Sequence, residues 1–201
     1  MASISQTASN VSKLVRYAMG AAMSPIHAGD EKIASRQPTL NAPKSLTITS
    51  NSFLPNQPIP TKHTPLAENL SPTLSWSNVP AEARELVLIC EDPDAPMAKP
   101  FVHWILHRLP PDVTALPEGV PTERELKPFG GAVQGQNDFK ARGWSGPKPP
   151  MGHGVHHYHF QLFALDQQLG LGPDALLDEL ANAMRGHVIA EGEIVGTYER
   201  K

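Results

Sequence analysis

Four segments of the chain concentrate side chains able to do chemistry. They are Asp92-Pro93-Asp94-Ala95-Pro96, Val102-His103-Trp104, Gly146-Pro147-Lys148-Pro149-Pro150 and His156-His157-Tyr158-His159-Phe160. Asp92 and Asp94 follow an apolar run and alternate with prolines, so their carboxylates are held with little freedom and can orient a histidine or a ligand amine. The same spacing also suits an Asx-type turn, in which the carboxylates only accept from nearby backbone N–H groups. His103 lies among Phe101, Val102, Trp104 and Ile105, where a polar ring needs a partner. Strand alternation puts His156 and Tyr158 on one face with Phe160, and His157 and His159 on the other. An imidazole on such a face can donate to a phosphate oxygen, and a neighbouring carboxylate favours its charged form.

Other chemistries find less support. The cluster His153, His156, His157 and His159 invites a metal reading, but there is no HExxH pattern, no cysteine pair and no helical i, i+4 histidine pair. Alternation also separates His156 from His157 and His159, so neither metal nor other cofactor is expected. No GxSxG elbow is present, and the single cysteine, Cys90, falls in the apolar run from Leu86, where it reads as a small buried hydrophobe. The enzymatic alternative is a hydrolase using His103 or His156 as general base, oriented by Asp92 or Asp94. Gly130-Gly131 and Gly135 to Phe139 match neither phosphate-binding fingerprint and read as turns or a ligand-lining loop.

The elements that must position these groups are mostly strands. The chain has 201 residues, with 21 prolines and 15 glycines spread along it, which limits helices and favours short strands joined by rigid turns. Its formal charge is -3, with no block of either sign, so nucleic acid is not expected as a partner and any anion must be bound locally. No apolar run of about 18 residues could span a bilayer, so integral membrane association is not expected. A cytoplasmic location is expected over secretion, because the apolar stretch near the N-terminus is short and broken by Arg16 and Tyr17.

Residues 1–44 read as an extension and 45–201 as the domain. In the extension, Val11, Leu14, Val15, Ala18, Met19 and Ala22 mark one face of an amphipathic helix that docks on its own domain or on a partner subunit, and Gly29 to Lys44 reads as linker. Strands are expected at Leu46 to Ser50, Thr73 to Trp76, Glu85 to Cys90, Val102 to Leu109, His156 to Leu165 and Glu193 to Tyr198. A late helix after Pro173 carries the stripe Leu176, Leu177, Leu180, Ala183, Met184 and stops at Gly186. The fold class is therefore mainly β, a sandwich or partly open barrel with one or two peripheral helices.

Taken in order, these segments resemble the phosphatidylethanolamine-binding protein family, in particular its bacterial, Raf-kinase-inhibitor-like branch. The likeness runs from about Ser45 to Arg200 and includes Glu68-Asn69-Leu70-Ser71-Pro72, Leu74-Ser75-Trp76, Gln136-Asn137-Asp138-Phe139 and Gly186-His187-Val188 through Tyr198. The resemblance implies an antiparallel, Greek-key-like β-sandwich with a small anion-binding cavity. The implied ligand-binding residues are Asp92, Asp94, His103, Pro150, His156 and Tyr158, with His103 and His156 meeting the anionic head of a phosphate or phosphorylated headgroup. It also implies a non-enzymatic binding or regulatory protein, a homodimer, and an unidentified protein target. Two positions depart from the family pattern and are expected at the pocket rim: Trp144 replaces a more usual tyrosine, and Lys148 stands where a small residue or cysteine is usual.

Overall fold

The strand that organises the molecule is β3 (Glu85–Asp92), whose run Leu86-Val87-Leu88-Ile89-Cys90 has no polar alternation because every residue of the strand is buried. In the computed structural model, which describes residues 2–201 and their side chains from Ser9 onward, β3 lies inside a six-stranded antiparallel sheet. Its neighbours are β4 (Phe101–Leu109) and β8 (Val155–Leu165). The order continues outward through β7 (Ala132–Gln134) and β6 (Glu125–Leu126) on one side and β9 (Val188–Glu199) on the other. A second, three-stranded antiparallel sheet is formed by β1 (Thr47–Thr49), β2 (Leu74–Ser77) and β5 (Ala115–Leu116). The chain leaves the large sheet after β4, adds β5 to the small one, and returns as β6 and β7 beside β4, a Greek-key-like excursion. The mainly β expectation with two helices therefore holds, and the six expected strands are all present; the short β5, β6 and β7 were not anticipated.

Both faces of the large sheet are covered, which is why the Leu86–Cys90 run of β3 is apolar without alternation. Leu86, Leu88 and Cys90 face the small sheet and pack with Ile48, Leu74, Trp76, Trp104, Tyr158 and Phe160. Val87 and Ile89 face the other way and pack with Ile105, Phe163, Ala34 and Leu40, and with Leu180 and Met184 of α2 (Leu177–Met184). Burying one such side chain contributes about 1.5–3 kcal/mol, so the second cluster is a real part of the core.

That second cluster draws in residues expected to be linker. Ile33, Ala34 and Leu40 are fully buried, and Ala34 and Ser35 donate their N–H groups to Glu91 and Gln161, polar side chains on the sheet's outer face. In the helix α1 (Ala2–Met23), residues 9–19 are exposed and the contact with the domain is made at the C-terminal end, where Gly20 is buried. Gly20 allows this, since a Cβ there would fall 1.9 Å from the Met151 carbonyl oxygen. Val11, Leu14, Val15 and Met19 remain exposed, so the apolar face of α1 is not used on its own domain.

Candidate functional site

At one end of the sheet, β3, β4 and β8 deliver Asp92, His103, His156 and Tyr158 to a cavity of about 200 Å3. Register explains the convergence: β3 runs between β4 and β8, with Asp92 opposite Phe101 and Glu91 opposite His159. His156 and Tyr158, two residues apart on β8, then share the inward face beneath Asp92. Pro150 and Lys148 come from the Gly146–Pro150 turn, and Phe101, Phe139, Met97, Pro96 and Pro149 complete mostly apolar walls. Of the residues singled out from sequence, Asp92, His103, Lys148, Pro150, His156 and Tyr158 line this one cavity.

Asp94 and Trp144 do not line it. The Asp94 carboxylate turns outward and accepts from the His157 backbone N–H at 2.7 Å and from its ring Nδ1 at 2.8 Å. Trp144 is buried behind His103; it stacks on Phe160 and donates to the His63 carbonyl. A Trp at this position therefore enlarges the core and leaves the ligand wall unchanged. The Gly146 turn is seated by Asn69, whose side-chain oxygen accepts the Gly146 N–H, and a Cβ at Gly146 would fall 1.9 Å from the His63 carbonyl. This contact explains why the segments Glu68 to Pro72 and Gly146 to Pro150 belong to one site.

The hydrogen bonds fix the protonation pattern. His103 Nδ1 faces the Ser145 carbonyl, which can only accept, so that nitrogen carries the proton. Burial holds His103 below the ordinary imidazole pKa, overcoming the opposing pull of Asp92 and of the Ser145 carbonyl. The ring is thus neutral near pH 7, and its Nε2 presents a lone pair. Asn137 braces this arrangement by donating to Gly143, Ser145 and His103 oxygens and accepting from Phe139 and Ala141 N–H groups.

Asp92, His156 and His153 form a relay. His156 Nδ1 donates to Asp92 at 2.7 Å, His156 Nε2 and His153 Nδ1 are 2.8 Å apart, and His153 Nε2 donates to the Met23 carbonyl at 3.0 Å. The outer nitrogens face oxygens that can only accept, and the two inner nitrogens face each other across a single proton position. His153 is held below the ordinary imidazole value, first by burial and then by its electrostatic interaction with His156. Both nitrogens of His156 are therefore engaged, and it offers the cavity a ring surface. His153, considered in the sequence only as a metal ligand, is the residue that ties the pocket to the end of α1.

Two groups stay unengaged in the wall. The Tyr158 hydroxyl is buried with no hydrogen-bond partner among the described residues, and its ring meets His103 edge-on at 5.1 Å. Burial, with the nearby Asp92 charge, pushes its pKa well above 10, so it remains a donor. Among the described residues, no group of three or more His, Cys, Asp and Glu side chains is placed to hold a metal ion. No helix among them is long and apolar enough to cross a membrane.

The chain is 48% identical over 152 residues to a UPF0098 protein of Pyrococcus horikoshii, covering 76% of each chain. It is 44% identical over 155 residues to a UPF0098 protein of Methanothermobacter thermautotrophicus, covering 77% of this chain and 99% of that one. Among solved structures it resembles E. coli YbcL, with a TM-score of 0.73 and 32% identity over 78% of this chain and 99% of that one. It also resembles a phosphatidylethanolamine-binding protein homolog from Chlamydia trachomatis, with a TM-score of 0.70 and 38% identity over 79% of this chain and 99% of that one. The family model for phosphatidylethanolamine-binding proteins matches residues 49–199, every strand from β2 to β9 and the whole of the cavity, and the chain belongs to that family.

Proposed function

We propose that the protein is a binding or regulatory module whose pocket takes a small oxyanion of the phosphate-monoester class, free or as the headgroup of a phospholipid. The observation that carries this reading is the unpartnered Tyr158 hydroxyl beside the free Nε2 of His103 in the cavity wall. An orphaned buried donor costs about 1–3 kcal/mol, which an acceptor oxygen of the ligand recovers. Lys148, exposed at the mouth, supplies positive potential, while the Asp92 carboxyl is turned to the His156 Nδ1–H at 2.7 Å. The volume supports a headgroup over acyl chains: about 200 Å3 lies below the roughly 300 Å3 where drug-sized sites begin.

The geometry favours binding over hydrolysis. The histidine held by a carboxylate, His156, has its second nitrogen occupied by His153, so it has no lone pair for a general base, and no cysteine or serine side chain lines the cavity. In the same reading the protein works in the cytoplasm as a homodimer, a second copy covering the apolar face of α1, and signals to a protein target. Light scattering on a chain lacking residues 1–23 tests the dimer, which should become monomeric. The pocket is tested by calorimetric titration of inorganic phosphate and phosphoethanolamine into wild type and His103→Ala/His156→Ala. Saturable heat lost in the variant is expected; no binding by folded wild type would refute the anion pocket.

A further inference from the structure

The outer face of the large sheet carries a second, larger cavity. Glu31, Lys32 and Gln37, the Met97–Pro100 loop, Gln136 and Asp138, and the start of α2 line a cavity of about 740 Å3. This volume lies within the range of small-molecule sites, about 300–1,000 Å3, and the cavity shares only Met97 with the pocket described above. Part of its wall comes from Glu31, Lys32 and Gln37, outside the segment matched by the family model.

At its wall lies Glu91, only 1% exposed. Its Oε2 accepts from the Ala34 N–H and from Gln161, both at 2.8 Å, whereas Oε1 makes no hydrogen bond among the described residues. Burial pushes this carboxyl up to about 7, against the two hydrogen bonds and the charge of His159. The group is thus half ionised near neutrality, and a donor reaching Oε1 from the cavity would favour its charged form. Glu31 and Asp138 add carboxyl groups to the wall, Asp138 also raising the Glu91 pKa; of the three lining lysines, Lys32 donates to the Ala28 carbonyl at 2.6 Å, Lys99 pairs with Asp178 at 3.0 Å, and Lys140 is exposed. Met97, Val102 and Leu177 give the remaining wall an apolar surface.

We propose that this cavity is a second binding site, for a small primary amine on an apolar body, with Glu91 Oε1 receiving the ammonium group. An anion would meet the carboxylate and be repelled, and an alcohol would gain one neutral hydrogen bond where an ammonium gains a charge-assisted one. Binding is coupled to loss of the Glu91 proton, so it strengthens from pH 6 to pH 8. The site stands independently of the anion pocket, since the two have different polar groups.

The test is titration of phenethylamine, with phenethyl alcohol and phenylacetate as controls, into the full chain, followed by methyl NMR of Met97 and Leu177. The amine should bind saturably and about tenfold or more tighter than the alcohol, with phenylacetate not binding. Glu91→Gln keeps an oxygen for Ala34 and Gln161 and should remove the preference for amine over alcohol. Ala98→Trp, at an exposed rim position, should block both ligands while leaving phosphate titration unchanged. Equal affinity for amine and alcohol in wild type, retained amine preference in Glu91→Gln, or no amine binding by the folded wild type would overturn the proposal.

Discussion

Anion binding should consume one proton at His103, and sulfate is the probe that reveals it. In the free protein His103 commits its Nδ1 proton to Ser145, and burial keeps the ring neutral, so Nε2 faces the cavity as an acceptor. Sulfate is fully ionised from pH 6.5 to pH 8.5 and has no proton to offer that lone pair. It can bind well only if Nε2 takes up a proton. Because the free pKa lies below the ordinary 6.5, the uptake is close to one proton per sulfate across this range while the bound ring stays protonated. Each pH unit then costs about 1.4 kcal/mol, and two units weaken sulfate binding about 100-fold. A phosphate monoanion carries its own hydroxyl proton and can donate to the neutral ring, so its binding should fall less steeply than that of sulfate. Calorimetry in two buffers of different ionisation enthalpy reads the proton uptake directly. His103→Gln replaces the titrating ring by a fixed amide and should flatten the sulfate profile to within about twofold. A flat wild-type profile would refute the protonation pattern, and an unchanged slope in His103→Gln would move the proton to the His153–His156 pair.

Three further outcomes follow from the same groups. Tyr158→Phe removes a buried hydroxyl that has no partner, so urea denaturation should show equal or up to about 1 kcal/mol greater stability, while phosphate affinity falls about fivefold or more. Asp92→Asn replaces the buried carboxyl acceptor of the His156 Nδ1–H by a neutral amide and should cost about 1.5–3 kcal/mol at pH 7 in the same assay. Glu91 is pushed up from 4.5 to about 7, so the folded state holds its proton more tightly than the unfolded chain. Its contribution to stability is therefore greatest below pH 4.5, declines as pH rises to about 7, and stays low above that. At about 1.4 kcal/mol per pH unit, Glu91→Gln should exceed wild type by up to about 3 kcal/mol at pH 8 and match it near pH 4.5 in thermal melts.

Much of the architecture was legible because the local signals agree with the global arrangement. The unbroken apolar run of β3 marks a strand covered on both sides, and alternation in β8 correctly separates His156 and Tyr158 from His157 and His159. The short strands β5, β6 and β7 span two or three residues each, too few to show a period. Residues 33–40 escaped for a different reason. Their backbone N–H groups are satisfied by Glu91 and Gln161, partners 57 and 126 residues away, which no local pattern reveals. In the site, the carboxylate and histidine motifs converge where alternation and the family likeness pointed, but Asp94 turns away because His157 offers it two donors. Phe139 and His153 enter through contacts set by Asn137 and by the docked end of α1, and these are tertiary facts.

The most direct test of the central claim is the side-chain 15N spectrum of the histidines during titration with phosphoethanolamine at pH 7. His27, His157 and His187, which do not line the cavity, serve as internal controls. Saturable movement of the His103 Nε2 resonance from the unprotonated toward the hydrogen-bonded or protonated position is expected, with the controls fixed. Movement confined to the control histidines, or no saturable change at His103, would contradict it.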